Sequence, residues 1–425
     1  MTYNSTIMPP PTEHPNADVR MRGFAARTTV EAAWAWIDSV LPAFDDLPQE
    51  EIGLAEAAGR VAACDVASRA DVPSFARSMM DGFAVRGEDT YGATPYNRLP
   101  LAVLGTCLPG TPFGGEVGRG QAVRIMTGAP LPCGADAVLP VEQTELDGDT
   151  IYAISEVSTD KHIGKIGEDV RAGDAAVPRG RVLRPQDLGL LSSIGCGRVQ
   201  VVRPPRVHVI VTGNELLPAG TPPEGCRIAD ANGPMLAALV LRDGGEPHAE
   251  IVADQPALIR AALDLPADVV LVSGGSSVGQ EDHVPQLLAE SGELAIHGVA
   301  MRPSSPAGMG RLDGKLVFLL PGNPVSCLCA YDFFAGRALR SLAGRSKVWP
   351  YRAVRVRLSR KLVSTVGRVD YARVVVHGDQ AEPLATSGAS ILSSTTRADG
   401  FIVVPADSEG FPAGAEVDVF LYAPA

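Results

Sequence analysis

The segment LVSGGSSVGQEDHVP, residues 271–285, decides the fold class of this chain. It continues an apolar run, VVLV at residues 269–272, into seven positions that hold only Ser, Gly or Val. Continuous apolar runs are typical of strands buried in a parallel sheet, and the bare backbone that follows offers N–H groups to an anion. Pro285 suits the first turn of a helix. The segment therefore predicts a strand, an anion-binding loop and a helix in series.

The same alternation of strands and helices extends from residue 204 to residue 345. Helical patterns open at Pro234, Pro256 and Pro285, each between two apolar strand patterns. This order predicts an α/β domain with a mostly parallel sheet that is covered on both faces. The predicted strands are RVHVIVTG (206–213), AEIVAD (249–254), ADVVLVSGG (267–275), AIHGVAM (295–301) and KLVFLL (315–320), and the last helix is NPVSCLCAYDFFAGRALRSL (323–342).

The remaining chain predicts three further regions. Residues 28–67 have helical spacing over nearly their whole length, with Thr29 as the first N-cap, and residues 170–203 have a mixed pattern. Residues 68–169 alternate short β-like runs with Gly and Pro, which predicts a β-rich inserted domain. Residues 346–425 contain strand and turn patterns only, so they predict a terminal β-barrel or sandwich.

Composition and charge exclude several classes of protein. The net charge is −12 and basic residues do not cluster, so nucleic acid is not expected as a partner. No apolar run reaches the roughly 18 residues of a membrane span. The seven cysteines include no Cys-x-x-Cys pair, which favours reduced thiols in a cytoplasmic protein. Residues 1–27 are polar and rich in proline, which predicts a disordered tail.

Polar or bare residues follow every predicted strand of the α/β domain. Because ligands bind beyond the carboxyl ends of parallel strands, we expect these residues to meet at one edge of the sheet. Gly and Ser donors suit a phosphate or another oxyanion, and carboxylates suit a hard cation such as Mg²⁺. In strand order the residues are Thr212, Gly213, Asn214 and Glu215; Asp254; Ser273, Gly274, Gly275, Ser276, Ser277, Glu281 and Asp282; Arg302, Pro303, Ser304 and Ser305; and Pro321, Gly322, Asn323 and Pro324.

A second chemistry fits part of the same segment. Residues 275–279 match G-x-S-x-G, the nucleophile elbow of serine hydrolases, with Ser277 as the nucleophile. The elbow requires a helix immediately after the serine, whereas Gly279 follows and Pro285 delays the helix. A serine hydrolase is therefore a minor alternative.

Eight stretches taken together resemble the molybdopterin molybdenumtransferase family, the MoeA and gephyrin E-domain type. The resemblance extends from about residue 28 to the C-terminus, and its specificity comes from the order and spacing of the stretches. They are SMMDGFAV (78–85), RIMTGAPLPCGADAVLPVE (124–142), GED (167–169), VTGNEL (211–216), SGGSSVG (273–279), LPGNPVS (320–326), GRVDYAR (367–373) and ILSSTTRADGFIVVP (391–405).

The resemblance implies a fold and a reaction. The implied fold has an elongated helical part split in sequence, a β-rich insertion, an α/β domain that binds molybdopterin, and a C-terminal β-barrel. The implied protein is a homodimer with its active site between subunits. It inserts molybdate into adenylylated molybdopterin with a divalent cation, Mg²⁺, and releases AMP with the finished molybdenum cofactor. Contacts with the molybdopterin adenylyltransferase or with apo molybdoenzymes are further expectations.

The resemblance also implies roles for individual residues. Asp81 and Thr127 would face the pterin site across the dimer, and Asp169 would lie near the same edge. Metal binding is implied for the carboxylates Glu215, Asp254 and Asp282, which together with Asp81, Thr127 and Arg302 form the implied catalytic set. The implied ligand-binding set is Ser273, Gly274, Gly275, Ser277, Ser305, Pro321, Asn323, Pro324, Arg368 and Asp169.

The chain departs from the family in two motifs that carry charge. Where the family has Lys-Pro-Gly-Lys-Pro, this chain has Arg302 and Ser305 in place of the two lysines, and Asn214 replaces a family aspartate. One positive and one negative charge are thus lost together. The leading prediction is an active transferase, and the alternative is a weakened paralogue that binds or carries molybdopterin or acts as a scaffold.

Overall fold

The computed structural model describes residues 27–275, 283–385 and 388–422. The predicted tail up to residue 26 and the candidates Ser277, Glu281 and Asp282 lie outside these ranges. The chain forms two compact units, one of residues Glu50–Val201 and one of the segments before and after it. Within the described ranges, no helix combines the length and apolarity that a membrane crossing requires.

The central element of the larger unit is a six-stranded sheet in the predicted α/β region. Its first four strands are parallel, and Gly308–Leu312 then runs antiparallel to both of its neighbours. The helices Asn232–Arg242, Pro256–Asp264 and Val284–Ser291 connect the strands. The order across the sheet is Glu246–Val252, Arg206–Thr212, Val269–Ser273, Lys315–Leu320, Gly308–Leu312 and Glu293–His297.

Two details of this sheet differ from the sequence prediction. The strand Gly308–Leu312 is missed because its glycines weaken the strand pattern, yet a Cβ at Gly310 would lie 1.9 Å from the Glu293 carbonyl oxygen. The predicted strand 295–301 was wrong in extent. The strand in the sheet is Glu293–His297 and stops at His297. Met301–Arg302 is a separate short strand that pairs with the barrel strand Val369–His377.

The segment after this sheet is one long helical run, as predicted. The α-helices Pro324–Ala330 and Gly336–Leu342 are joined by a π-helical turn, Tyr331–Ala335. Pro324 occupies the first turn, where its missing N–H is not needed. The run is buried against the sheet along almost its whole length.

A closed five-stranded β-barrel follows the long helical run, which confirms the barrel prediction. Each strand pairs with two others in the ring, so the barrel has no free edge. Its interior is filled by Val and Ile side chains, among them the fully buried Val374, Ile402 and Val419. Around the ring the strands are Val369–His377, Gln380–Ala385, Arg352–Leu358, Glu416–Leu421 and Gly400–Val404; Leu362–Val363 pairs with Gly410–Phe411, and Ser393–Thr396 is a short helix.

The N-terminal helix of the larger unit is confirmed, but its predicted continuation is wrong. Thr29 caps the helix Val30–Val40, since its hydroxyl accepts a hydrogen bond from the Ala32 N–H at 3.1 Å. The later part of the predicted helix instead forms the strand Gln49–Gly53, a 3₁₀ turn and irregular chain. Gly59 has a φ of +75°, which stops a helix regardless of the alanines around it.

The unit Glu50–Val201 is built mainly of β structure. A six-stranded sheet forms the predicted inserted domain, and the helix Pro185–Ser193 is confirmed. Smaller pairs of strands hold the ends of the unit together. The large sheet has the order Ala137–Pro140, Gly82–Val85, Gln121–Ile125, Leu99–Cys107, Thr150–Ala153 and Thr144–Asp147; the short strands are Val66–Ala67, Arg77–Ser78, Ile163–Gly164, Ala175–Val177 and Arg198–Val202.

A buried ionic cluster joins the α/β sheet region to the barrel. The Arg242 guanidinium lies 2.9 Å from Asp243 and 3.0 Å from Asp332, and both carboxylates are fully buried. Arg340 binds Asp243 at 3.0 Å, and the Tyr351 hydroxyl donates to Asp332 at 2.9 Å just before the first barrel strand. Burial raises the pKa of Asp332, and Arg242 opposes that rise.

We expect Asp332→Ala to lower the free energy of unfolding by about 3–5 kcal/mol, because it leaves Arg242 partly buried without one of its carboxylates. Chemical denaturation measures the change. Asp418→Ala is the control in the same unit: it breaks the exposed Arg355–Asp418 pair and should cost less than about 1 kcal/mol. Equal losses in the two variants would contradict a structural role for the cluster.

His208 is a buried titratable group, and we expect it to make the free energy of unfolding depend on pH. Its side chain is 3 % exposed, and its Nε2 lies 2.8 Å from Glu250 Oε1 on the neighbouring strand. Burial lowers the pKa of His208 below its ordinary value of 6.5, although Glu250 works in the opposite direction. The unfolded chain therefore takes up a proton on His208 at a higher pH than the folded chain does.

As the pH falls from about 7 through 6.5 toward the folded-state pKa, the free energy of unfolding should decrease. Denaturation at a series of pH values measures this slope. His208→Gln should flatten it, while the exposed His377→Gln should retain it. A slope that is unchanged by His208→Gln would show that another group is responsible.

Candidate functional site

A cavity of about 580 Å³ lies at the carboxyl edge of the parallel strands. Four of the five predicted strand ends meet there, which agrees with the expected position of the site. The predicted residues that line it are Thr212, Gly213, Glu215, Asp254, Ser273, Gly274, Gly275, Pro321, Gly322, Asn323 and Pro324.

Close packing of backbone shapes the floor of this cavity. Gly274 has a φ of +97°, and a Cβ there would lie 2.3 Å from the Thr212 carbonyl oxygen. Only glycine fits this position, so the loop after Val269–Ser273 can pass directly over the neighbouring strand end. The Gly274 N–H is used within the sheet, since it donates to the Leu320 carbonyl at 3.2 Å.

Carboxylates lie along one side of the cavity. The Thr212 hydroxyl donates to Asp254, and the Asp254 N–H donates to the Asn214 side chain at 3.2 Å. Glu215 folds back over Gly213, where a Cβ would come within 2.7 Å of its carboxylate. In the described ranges, no three His, Cys, Asp or Glu side chains converge closely enough to hold a metal ion. The third predicted ligand, Asp282, lies outside those ranges.

Asn232 is a site residue that the sequence analysis missed. Its side chain is buried and donates to Ser273 Oγ at 2.9 Å and to the Gly322 carbonyl at 2.8 Å. Asp230 holds it in place by accepting the N–H groups of Asn232 and Gly233 at 2.8 and 2.9 Å. The sequence signal for Asn232 is Asp-x-Asn-Gly-Pro at a helix start. This stretch does not follow any of the predicted strands, so the strand-end argument does not include it.

A second cavity of about 390 Å³ contains the fourth strand-end group. Arg302, Ser304, Ser305 and Arg368 line it, and it shares Pro306, Pro321 and Asn323 with the first cavity. The two cavities therefore adjoin at these three residues.

Two of the predicted arginines converge on one buried carboxylate in the second cavity. Arg302 binds Asp370 through two nitrogens, with Nε 3.0 Å from Oδ1, and Arg368 Nε lies 3.5 Å from the same oxygen. Asp370 is fully buried and also accepts the Ser364 hydroxyl at 2.7 Å. Two guanidinium groups share one carboxylate, so this cavity has a net positive charge.

The two charge losses noted in the sequence lie in different places. Asn214 contacts Asp254 beside the first cavity, whereas Ser305 lines the second. In the described part of the chain, no hydrogen bond or ion pair joins these two residues.

The predicted residues Asp81, Thr127 and Asp169 belong to the unit Glu50–Val201. The Thr127 N–H and hydroxyl both donate to Asp81 Oδ1 at 2.7 Å, and these bonds lower the pKa of Asp81. Asp81 and Asp169 are exposed. The first two residues thus form a preorganised pair, and the third is a surface carboxylate.

The fold and the paired cavities define a multidomain α/β protein with a candidate ligand site at the carboxyl edge of its parallel strands. Three family models match the chain. They are described as the "MoeA N-terminal region (domain I and II)" over residues 28–195, the "Probable molybdopterin binding domain" over residues 208–341, and the "MoeA C-terminal region (domain IV)" over residues 355–422.

Individual relatives agree with the family models. A Staphylococcus aureus protein named molybdopterin molybdenumtransferase is 31% identical over 88% of this chain and 91% of its own length. A Mycobacterium tuberculosis protein named molybdopterin molybdenumtransferase 2 is 36% identical over 87% of this chain and 94% of its own length. The crystal structure of a molybdopterin biosynthesis MoeA protein from Pyrococcus horikoshii is 34% identical, with a TM-score of 0.80, and covers 94% of this chain and 100% of that one.

The chain belongs to the MoeA family. This finding confirms the resemblance and the multidomain fold that the sequence predicts, and it assigns the protein to molybdenum cofactor biosynthesis. The roles of individual residues and the exact domain boundaries stay predictions.

The amide of Asn232 should hold the loops at Ser273 and Gly322 in register. Asn232→Ala removes both hydrogen bonds and leaves the Gly322 carbonyl without this donor, so we expect faster amide hydrogen exchange in peptides spanning residues 273–275 and 321–324. Gln286→Ala on the helix Val284–Ser291 is the matched control, because among the residues that the structure describes its amide binds Glu290 on the same helix. Exchange that is unchanged in Asn232→Ala would show that the two loops hold their positions without it.

Proposed function

We propose that this protein is a molybdopterin molybdenumtransferase, which inserts molybdate into adenylylated molybdopterin and releases AMP with the finished cofactor. The observation that carries the proposal is the pair of adjoining cavities that share Pro306, Pro321 and Asn323. One offers hydroxyl, amide and carboxylate groups, and the other offers guanidinium groups. A bulky anionic ligand and a separate small oxyanion can therefore lie next to each other.

In this proposal the first cavity binds the pterin and its phosphate. Ser273, Gly274 and Gly275 form the loop that contacts the phosphate, and the loop with Pro321 and Pro324 gives the wall beside it a rigid shape. Asn323 lies at the junction of the two cavities. Ser277 belongs to the same predicted loop but lies outside the described ranges.

The second cavity binds molybdate in this proposal. Arg302 is held rigidly by its two contacts with Asp370, and Arg368 is drawn to the same carboxylate. A guanidinium held in this way can face an oxyanion without first losing side-chain entropy. Ser305 adds a hydroxyl where the family has a second cation.

A divalent cation fits the carboxylate side of the first cavity by its donor chemistry. Glu215, Asp254 and Asp282 offer hard oxygen ligands, and Mg²⁺ commonly completes its shell with substrate phosphate and water. When bound, the cation would neutralise phosphate charge as AMP departs. The carboxylates would position the phosphate side of the substrate through the bound cation.

We propose a homodimer in which Asp81 and Thr127 serve the site of a second copy. Their hydrogen-bonded pair is exposed and lines neither of the two cavities described above. Phe75, Met79 and Ile166 in the same unit are 43%, 56% and 53% exposed, which is the apolar surface that a partner would cover. A cytoplasmic location and contacts with the adenylyltransferase or apo molybdoenzymes stay predictions from the sequence.

The second candidate function is a carrier of molybdopterin without metal insertion. The observation in its favour is that Asp370 engages both Arg302 and Arg368, while position 305 has no charge. Under this alternative the first cavity retains its ligand and the second is too weakly charged to use molybdate.

The deciding experiment supplies purified protein with adenylylated molybdopterin, Mg²⁺ and molybdate. The transferase should release AMP and reconstitute an apo molybdoenzyme, and Asp254→Asn should slow both by about tenfold or more. Asp264→Asn, an exposed carboxylate paired with Arg260, is the control and should act as wild type.

The two functions predict different results in this assay. Tight binding of the pterin with neither product would support the carrier. Absence of pterin binding would overturn both functions.

A further inference from the structure

The second cavity contains an arginine that none of the family motifs includes. Arg27 lines this cavity with Arg302 and Arg368. It precedes the first helix and lies outside all eight stretches that carry the family resemblance. Its position therefore comes from the tertiary structure alone.

The backbone next to Arg27 is fixed to the segment that leads into Arg302. The Thr28 N–H donates to the Gly298 carbonyl at 3.0 Å, and the Thr28 carbonyl accepts the Ala300 N–H at 2.8 Å. Thr28 and Val299 form a parallel bridge. Arg27 is thus anchored beside the Met301–Arg302 strand by main-chain bonds on its C-terminal side.

The helix that follows strengthens this anchor. Val30 and Ile37 are fully buried against the sheet, and the Trp34 indole N–H donates to the Phe333 carbonyl at 2.7 Å. The first helix cannot move away without exposing this apolar surface. The backbone at Arg27 is therefore held at the rim of the cavity.

The charges in the cavity do not balance. Arg27, Arg302 and Arg368 are three cations, and Asp370 is the carboxylate that two of them share. In the ranges that the structure describes, Arg27 has no hydrogen bond or ion pair and its side chain is exposed. A cavity with about two uncompensated positive charges is suited to a small dianion.

We infer that Arg27 is an oxyanion-binding residue that supplies the cation which position 305 lacks. The ligand class is a tetrahedral dianion of the molybdate type, held jointly by Arg27, Arg302 and Arg368. The inference rests on the proposed function for the identity of the oxyanion. Its geometric part, an anion held by Arg27, stands without that function.

Molybdate itself is the probe, used with the full-length protein. Isothermal titration with molybdate, in the presence and absence of adenylylated molybdopterin, should show binding about tenfold or more weaker in Arg27→Ala than in wild type. The AMP-release assay should show a raised KM for molybdate in Arg27→Ala with an unchanged KM for adenylylated molybdopterin. A purely structural role for Arg27 would not separate the two KM values.

Two lysine substitutions test whether the positive charge of Arg27 is what binds molybdate. Arg27→Lys should retain most of the affinity for molybdate, and Ser305→Lys should restore it in the Arg27→Ala background. Arg352→Ala removes an exposed arginine from the barrel outside both cavities and is the matched control. It should bind molybdate as wild type does.

The outcomes separate this inference from the proposed function. AMP release in wild type with an unaltered molybdate KM in Arg27→Ala would overturn the inference and leave the function standing. Molybdate binding that depends on Arg27, without AMP release, would support the inference and overturn the transferase. No molybdate binding to wild type under either titration condition would overturn the inference.

Discussion

The buried ionic cluster around Arg242 is the interaction on which the larger unit depends. It lies where the first α/β helix ends, where the π-helical turn begins and where the chain enters the barrel. Two fully buried carboxylates are tolerated only because Arg242, Arg340 and two tyrosine hydroxyls satisfy them together. Its members come from the first α/β helix, the π-helical turn, the helix Gly336–Leu342 and the segment before the barrel, so the cluster links the sheet region to the barrel.

Contact between the sheet region and the barrel also forms the second cavity. Met301–Arg302 pairs with the barrel strand Val369–His377, so Arg302 and Asp370 meet only when the barrel is in place. The first cavity has a different support, since the amide of Asn232 ties two strand-end loops together inside the sheet region. The candidate site therefore combines the first cavity, at the carboxyl edge of the parallel strands, with the positively charged second cavity, which the barrel helps to form.

Much of the fold could be predicted from the sequence because its signals are local. Continuous apolar runs with proline at the helix starts identify the parallel strands, and Thr29 marks the first helix. The secondary-structure predictions that were wrong also have physical causes. The alanine-rich stretch after residue 51 has helical propensity, but Gly59 and strand pairing override it. The strand Gly308–Leu312 has too many glycines to show its pattern.

The sequence by itself determined the class of the sheet, the edge at which the candidate site lies, and the family. Each of these follows from residue order along the chain, which sequence motifs record directly. Only the tertiary structure decided that Arg27 joins Arg302 and Arg368, that Asp370 neutralises part of their charge, and that Asn232 clamps the loops. Apart from the local pair Arg368 and Asp370, these residues lie between about 40 and 340 positions apart, and no local pattern encodes a partner at such a distance.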